Sequence, residues 1–377
     1  MSHINIVESG EVMPGPPTLM AGFLRSRGED LTTIYHPFAY STDYRSRMEL
    51  PDGEKRKLLS IRCPGIVVFL RDLFATLYFV LSIRRRFHVY IGFDCLNALV
   101  GLFLREIGLV QRTIFYMVDY TPKRFSSRFL STCYRLLGQI SARYSDSVWV
   151  VSNRQANIVQ HNVARKPYIV PYWPKREEVG SNLAVRRNTL VFVGHLVLSK
   201  GLRLLLEAFE EILAANSQAE LFVVGEGSHS AALRAMVAKK GLDSRVKFTG
   251  VLSRSEVLKL LPTCEIGLAP YDPDPSNFTW YADAWKVKDY LASGLAVIIT
   301  RVPEIAERIE ACQAGEVVEY QKEEIARAAI KLLSDRELLE NLKRNAIKLA
   351  SHYDWETILE RAFLEFRSDA GVLACRK

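Results

Sequence analysis

The chain has 377 residues, 49% of them hydrophobic, and 50 Lys and Arg against 42 Asp and Glu give it a net charge of +8. That length exceeds what one core usually supports and predicts two domains, and the apolar content is ample for folding. The basic excess lies in residues 1–180, where 24 Lys and Arg face 15 Asp and Glu for a net +9, whereas residues 181–377 hold 26 and 27 for a net −1. An anionic partner for the first half is one reading (nucleic acid, an anionic membrane or a phosphorylated substrate), and a merely solvated basic surface is the other. Six cysteines, Cys63, Cys95, Cys133, Cys264, Cys312 and Cys375, stand singly without CxxC or metal spacing and read as reduced thiols of a cytosolic protein. The opening Met-Ser-His-Ile-Asn-Ile-Val-Glu has neither a basic n-region nor a long apolar h-region, so no export is expected.

In chain order, residues 4–7 predict a first strand, 10–17 a glycine and proline loop, 19–27 a helix and 31–35 a second strand. Residues 41–58 are polar and turn-rich and read as a mobile loop. Residues 65–83 are strongly apolar and are followed by Arg84-Arg85-Arg86. Their length almost reaches across a bilayer, but Arg71 and Asp72 are costly at depth. A buried helix of a doubly wound domain is therefore expected, with a helix lying in the membrane plane as the other reading. Strands at 89–93, 113–118, 148–151 and 168–170 continue the series. After Pro174 the run Lys-Arg-Glu-Glu-Val-Gly-Ser-Asn reads as a linker. A second series restarts at 189–194, with strands near 219–224, 246–249, 266–269 and 297–300. The predicted fold class is α/β, with two Rossmann-like doubly wound domains facing a cleft: 1–174, a linker over 175–188, 189–350, and a terminal helix within 351–377.

Four glycine-bearing segments in the second half carry chemistry. In Phe192-Val-Gly-His-Leu-Val-Leu-Ser-Lys-Gly-Leu202 a strand ends at Gly194, a loop carries His195, and a helix begins near Lys200-Gly201. Backbone N–H groups there, with the Lys200 ammonium, make an anion site, an ordinary strand-to-helix turn being the alternative. Leu221-Phe-Val-Val-Gly-Glu-Gly227 places Gly225 and Gly227 at a strand's C-terminal end, where open α/β sheets bind ligands. Val246-Lys-Phe-Thr-Gly-Val251 repeats a strand-glycine ending. In Asp283-Ala-Trp-Lys-Val-Lys-Asp-Tyr-Leu-Ala-Ser-Gly294 a charged helix start runs to a glycine C-cap and a buried strand over 295–299. Lys286 and Asp289 lie three apart on one helical face and offer an anion-binding ammonium and a hydroxyl-accepting carboxylate to one cleft. In the first half, Tyr116-Met-Val-Asp-Tyr-Thr-Pro-Lys-Arg-Phe125 begins at a strand's C-terminal end and puts Asp119, Lys123 and Arg124 on a cleft-facing loop.

This ordered series resembles the retaining nucleotide-sugar glycosyltransferases of GT-B architecture grouped as family four, most strongly over residues 189–320. The resemblance implies diphosphate contacts from Gly194, Lys200 and His195, the last in place of the usual arginine. It implies a base contact through the backbone of Val251, the donor ribose on Asp289, and a glycine loop ending at Gly15 near the donor phosphate and the acceptor. Those enzymes usually carry two glutamates eight positions apart; here the slots hold Tyr281 and Asp289, and Asp283 is the carboxylate that would substitute, unless it is only a helix-start residue. Val118 stands where a strand-end histidine is usual, with Asp119 matching the aspartate beside it. His352-Tyr-Asp-Trp355 heads a helix resembling the one that crosses back onto the first domain.

The activity so implied is hexosyl transfer from a nucleotide diphosphate sugar to a hydroxyl acceptor, with Asp119, Lys200 and Asp283 as catalytic candidates, Lys123 and Arg124 on the acceptor side, and neither cofactor nor metal. Lys200, Lys286 and helix N-termini would neutralise the leaving group. With retention, the donor phosphate takes the acceptor proton and Asp119 orients; with inversion, Asp119 is the base. A glycan or lipid-linked acceptor, polysaccharide or glycolipid assembly, and a cytoplasmic place with peripheral membrane contact are expected. Nucleic acid is not, because no reading module is present. An epimerase on the same architecture is one alternative, and a nucleotide-binding scaffold weakened at Val118 and Tyr281 is the other.

Overall fold

The computed structural model describes residues 2–4, 15–37, 45–58, 67–163, 166–174 and 184–374. They fall into two units, Met1–Val170 with Ala362–Lys377, and Pro171–Arg361. Cys95, Cys133, Cys264 and Cys312 are free thiols, and Cys63 and Cys375 lie outside the described residues.

The first unit contains β1 (Ser2–Ile4), α1 (Pro16–Ser26), β2 (Thr33–Pro37), β3 (Arg47–Glu49), β4 (Lys55–Lys57), α2 (Val67–Ile83), β5 (Phe87–Phe93), α3 (Cys95–Glu106), β6 (Val110–Met117), α4 (Arg128–Tyr144), β7 (Ser147–Val150), α5 (Asn153–Val159) and β8 (Tyr168–Ile169). Strands β5, β6, β7 and β8 form a parallel sheet in that order. All four residues of β7 are buried, and Trp149 packs edge-on against Tyr116 at 5.9 Å and Phe363 at 4.9 Å. Phe363 and Phe366 come from the terminal helix, and Arg112 lies over the Phe366 ring at 3.6 Å while donating to the Phe366 carbonyl.

A second sheet, in the order β1, β2, β3, β4, replaces part of the loop expected over 41–58. Strands β2, β3 and β4 pair antiparallel, with residues 41–44 outside the described set. Each of β3 and β4 is three residues long, and only Met48, fully buried, reaches the core, so composition alone reads as polar loop. The helix expected over 65–83 forms as α2, but only one face is buried. On that face Arg71 donates twice to Asp72, at 2.7 and 2.9 Å, and His36 bridges Ser46 and Thr76 at 2.9 Å each. This buried polar cluster fixes the rotation of α2 against β2 and turns Val67, Leu70, Phe74, Tyr78 and Leu81 outward.

The second unit contains β9 (Thr189–Val193), α6 (Leu202–Ala215), β10 (Glu220–Val224), α7 (Ser230–Lys239), β11 (Val246–Gly250), α8 (Arg254–Leu260), β12 (Ile266–Ala269), α9 (Trp285–Ala292), β13 (Ala296–Thr300), α10 (Ile305–Ala311), β14 (Gly315–Val318), α11 (Lys322–Ser334) and α12 (Arg336–Ser351). The last helix, α13 (Trp355–Ala374), runs from this unit into the first. Six parallel strands take the order β11, β10, β9, β12, β13, β14. With helices on both faces the central strands are buried on both sides, which is why β9, β12 and β13 read as unbroken apolar runs.

Phe366 is buried although it belongs to the far end of the chain, whereas its neighbour Leu364 is 64% exposed. Phe366→Ala should cost about 3–5 kcal/mol by cavity formation, and Leu364→Ala should stay within about 0.5 kcal/mol. Denaturant unfolding of the full chain measures both, and equal costs would contradict the packing described.

Candidate functional site

The second unit's strand order reverses between β9 and β12, and ligands of such sheets sit beyond the strand C-termini at that reversal. Four loops meet there. Gly194 N–H donates to the Val224 carbonyl at 2.9 Å, Gly225 N–H to Gly250 at 2.8 Å, Leu196 N–H to Glu226 at 3.1 Å, and Asp272 N–H to Ser199 at 3.0 Å. Gly225 has φ +124°, and a Cβ there would stand 2.2 Å from the Gly194 carbonyl oxygen, so any side chain would drive the β9 and β10 loops apart. Gly201, φ +70°, opens α6, and its missing Cβ makes room for the Pro270 carbonyl after β12. Gly294 takes φ +75° and ends α9 as expected of a C-cap.

Two ammonium groups converge on this crossing. The Lys200 Nζ stands over Gly194, where a Cβ would come within 3.3 Å of it. Lys286, on α9, is 7% exposed, and its Nζ lies 3.7 Å from the centre of the Phe192 ring and 4.8 Å from that of Tyr271. Among the described residues that Nζ finds no hydrogen-bond acceptor. Burial, reinforced by the charge of Lys200, holds the Lys286 pKa well below the ordinary lysine value. The His195 pKa in the same loop is lowered by burial and then by Lys200, and a hydrogen bond to the Glu226 backbone opposes that shift. Tyr290 anchors the arrangement: it is fully buried, and its hydroxyl accepts from Val193 N–H at 2.8 Å, fixing α9 against β9.

Lys286 and Asp289 share a helix but not an immediate environment. Asp289 accepts from Arg254 at 2.5 and 2.9 Å, and Arg254 also donates to the Tyr172 hydroxyl at 2.8 Å. Burial raises the Asp289 pKa, and Arg254 opposes that rise. Asp283 is committed elsewhere: it forms a buried ion pair with Lys288 and accepts from Tyr172 N–H at 2.9 Å, and Lys288 also donates to the Tyr172 carbonyl at 2.6 Å. Burial pushes Asp283 up and Lys288 down, and their mutual attraction opposes both shifts. Val251 follows Gly250 on the β11–α8 loop and is 54% exposed. Gly227 N–H donates to the Ser230 hydroxyl at 2.8 Å, closing the β10–α7 turn.

In the first unit, a cavity of about 80 Å³ lies at the C-terminal end of β6 beneath α4, lined by Asp94, Met117, Asp119, Tyr134, Gly138 and Ile158 among others. Its walls are mostly apolar, with Asp94 and Asp119 as carboxylates. Arg124 lies over the Tyr134 ring at 5.0 Å; burial opposes its charge, but Tyr134, Asp94 and Asp119 together raise its pKa. Lys123 is exposed on the same loop. Gly15 caps α1 in extended backbone, and residues 10–14 of the expected glycine loop lie outside the described residues. The Val118 carbonyl accepts from Gln155 at 3.1 Å.

The structure therefore brings Gly194, His195, Lys200, Gly225 and Lys286 together, puts Asp289 under Arg254, and sets Asp283 in a separate ion pair. Sequence reasoning missed Arg254, Lys288, Tyr172 and the aromatic walls Phe192 and Tyr271. A cation five residues after Asp283 was the one local signal for its partner; the others are set by tertiary contact.

Residues 187–335 match the family described as glycosyl transferases group 1. A 2-deoxystreptamine glucosyltransferase of Streptomyces kanamyceticus is 34% identical over 79 residues, 21% of this chain and 20% of that protein. Sucrose-phosphate synthase from Thermosynechococcus elongatus superposes with TM-score 0.71 at 15% identity, covering 94% of this chain and 92% of that one. S. aureus TarM, in complex with fondaparinux, alpha-GlcNAc-glycerol and UDP, gives 0.65 at 13%, covering 96% and 68%. Anabaena HepE, in complex with UDP and glucose, gives 0.65 at 16%, covering 81% and 83%. The chain therefore has the fold of the GT-B proteins, and residues 187–335 are similar to the glycosyl transferases group 1 family.

Proposed function

We propose that this chain is a glycosyltransferase that moves a hexosyl group from a nucleoside diphosphate sugar to a hydroxyl of a glycan or lipid-linked acceptor, with retention and without a metal, in polysaccharide or glycolipid assembly. The observation that carries the reading is the convergence on the Gly194 and Gly225 crossing of Lys200 and of Lys286, whose Nζ has no hydrogen-bond acceptor among the described residues. Such a site is built for a compact multivalent anion, and its loops leave room only for backbone. TarM and HepE with bound UDP support a uridine donor, and the ligands of TarM support a glycan acceptor.

In this reading the acceptor oxygen attacks the sugar C1 as the bond from C1 to the phosphate oxygen breaks, and the acceptor proton passes to that phosphate. Lys200 and Lys286 hold the diphosphate as its charge grows, with His195 beside them in the same loop. The ribose hydroxyls donate to Asp289, whose carboxylate has lone pairs left beyond the two Arg254 bonds. The Val251 backbone faces the base. Asp119, which lines the first-unit cavity, orients the acceptor hydroxyl, with Lys123 and Arg124 on the same loop. Asp283, through Lys288 and the Tyr172 backbone, acts as a positioning residue that fixes the start of α9.

A panel of nucleoside diphosphate sugars should contain one that raises the melting temperature, and NMR of the product should show the donor's anomeric configuration kept. No shift with any donor would favour a scaffold, interconversion of the free donor an epimerase, and inverted product a base role for Asp119.

Lys286 sets a pH dependence whose sign is fixed. Its folded pKa is lowered, so the unfolded chain holds this proton more tightly. Ligand-free stability therefore rises with pH between the folded value and the unfolded lysine value of about 10.4. The diphosphate needs the protonated form, so affinity falls as pH rises through the same window. Lys286→Met should raise ligand-free stability, weaken nucleoside diphosphate binding by about ten- to a hundredfold, and flatten the pH dependence. Calorimetric titration across pH measures this, and an unchanged profile would remove Lys286 from the site.

A further inference from the structure

We propose that the first-unit cavity is a pocket for the apolar part of the acceptor, a short uncharged group of roughly three carbon atoms carried beside the hydroxyl that reacts. The inference rests on the transferase reading and narrows it to a class of acceptor. Helix α4 supplies the first observation. Gly138 stands inside this helix, where glycine costs stability relative to alanine, and neither its backbone nor its neighbours require it. Its φ is not left-handed, and a Cβ there would meet only the Cys95 Cβ, at 3.9 Å, which is ordinary van der Waals contact. What the missing side chain does is leave the cavity wall open. About one turn to either side the helix is held: the Ser141 hydroxyl donates to the Cys95 carbonyl at 2.9 Å, and the Tyr134 carbonyl accepts from the Cys95 thiol at 3.9 Å. The wall between these fixed points is kept from settling into the gap.

The chemistry of the lining selects the guest. Phe115 and Met117 on β6, Pro122 on the following loop, and Ile158 and Val159 on α5 give the cavity apolar walls. Burial pushes the Cys95 thiol up to about 12, so it adds an uncharged wall. Asp94 and Asp119 line the cavity together with Arg135, and both also interact with the Arg124 guanidinium. Carboxylates and guanidiniums are thus balanced, and a charged guest would find no unmatched opposite charge. One molecule can then offer an alcohol oxygen to Asp119 and the carbons beside it to Met117. The volume, about 80 Å³, is roughly half of the ~150 Å³ that takes a benzene ring, so it suits a branched alkyl group or one edge of a ring rather than a long chain. Each methylene moved into such a pocket from water strengthens binding about fourfold.

Met117 carries the readout, because its side chain lines the cavity. The full chain with isotope-labelled methionine methyls is titrated, without nucleotide, with methanol, ethanol, isopropanol and hexanol and followed by NMR. The Met117 resonance should shift saturably while those of the buried Met20 and Met48 stay in place, with affinity rising about fourfold per carbon to isopropanol and levelling beyond it. Gly138→Leu should abolish the shift, and Gly138→Ala should weaken it while raising the melting temperature, which is the folding control. With a nucleoside diphosphate hexose added, the same alcohols should yield alkyl glycosides in the same order. Gly138→Leu should cut that yield about tenfold and leave the donor's melting-temperature shift unchanged. A Met117 methyl that no alcohol moves, affinity indifferent to chain length, or glycoside formation unaltered in Gly138→Leu would overturn the pocket while leaving the transferase reading in place. Glycoside from no donor, with Met117 shifting as expected, would instead overturn the transferase reading and with it the guest's role as acceptor.

Discussion

A buried ammonium with no acceptor is a group that a folded chain normally eliminates, because stripping its hydration costs several kcal/mol. Among the described residues Lys286 keeps one, walled by Phe192 and Tyr271 and pushed towards neutrality by burial and then by Lys200. The ring faces offset only part of that cost. The surroundings hold the group where it is: Tyr290 ties α9 to β9 through Val193, and Gly201 and Gly225 let three loops close to backbone distance. The ligand-free site therefore carries a standing electrostatic debt that a multivalent anion relieves, which is the physical content of preorganisation.

The two units use buried polar groups in different ways. In the second, Asp289 with Arg254 and Asp283 with Lys288 are paired, and both reach Tyr172, so the start of α9 is fixed before any ligand arrives. In the first, the cluster of His36, Ser46, Thr76, Arg71 and Asp72 sets the rotation of α2 and so decides which apolar side chains meet water. The same device, a buried polar contact, orients chemistry in one unit and surface in the other.

Much of the fold was legible because parallel strands covered on both faces must be apolar throughout, and β9, β10, β12 and β13 announce themselves that way. Strands β3, β4 and β14 did not, since three or four residues with little apolar content leave no periodic signal. Lys286 was legible as a residue type at a helix start, but Phe192 is far from it in sequence, so its depressed pKa was not. Gly225 was a weak motif whose meaning came only from the Gly194 carbonyl beside it. Asp283 carries two readings in the sequence, a substitute for the glutamate whose slot Tyr281 holds and a helix-start residue, and the sequence does not show that Lys288 holds it in a buried ion pair. For α2 the length was readable, but the exposed stripe was not, because both faces of the helix are apolar and only the packing distinguishes them.

The most direct test of the central claim compares, by isothermal titration, a nucleoside diphosphate with the monophosphate of the same base, in buffers of differing ionisation enthalpy. If Lys200 and Lys286 form a cradle for the terminal phosphate, the diphosphate should bind about a hundredfold more tightly, should take up a proton on binding, and should lose both advantages in Lys286→Met. Equal affinity for the two nucleotides, or diphosphate binding without proton uptake in wild type, would contradict it.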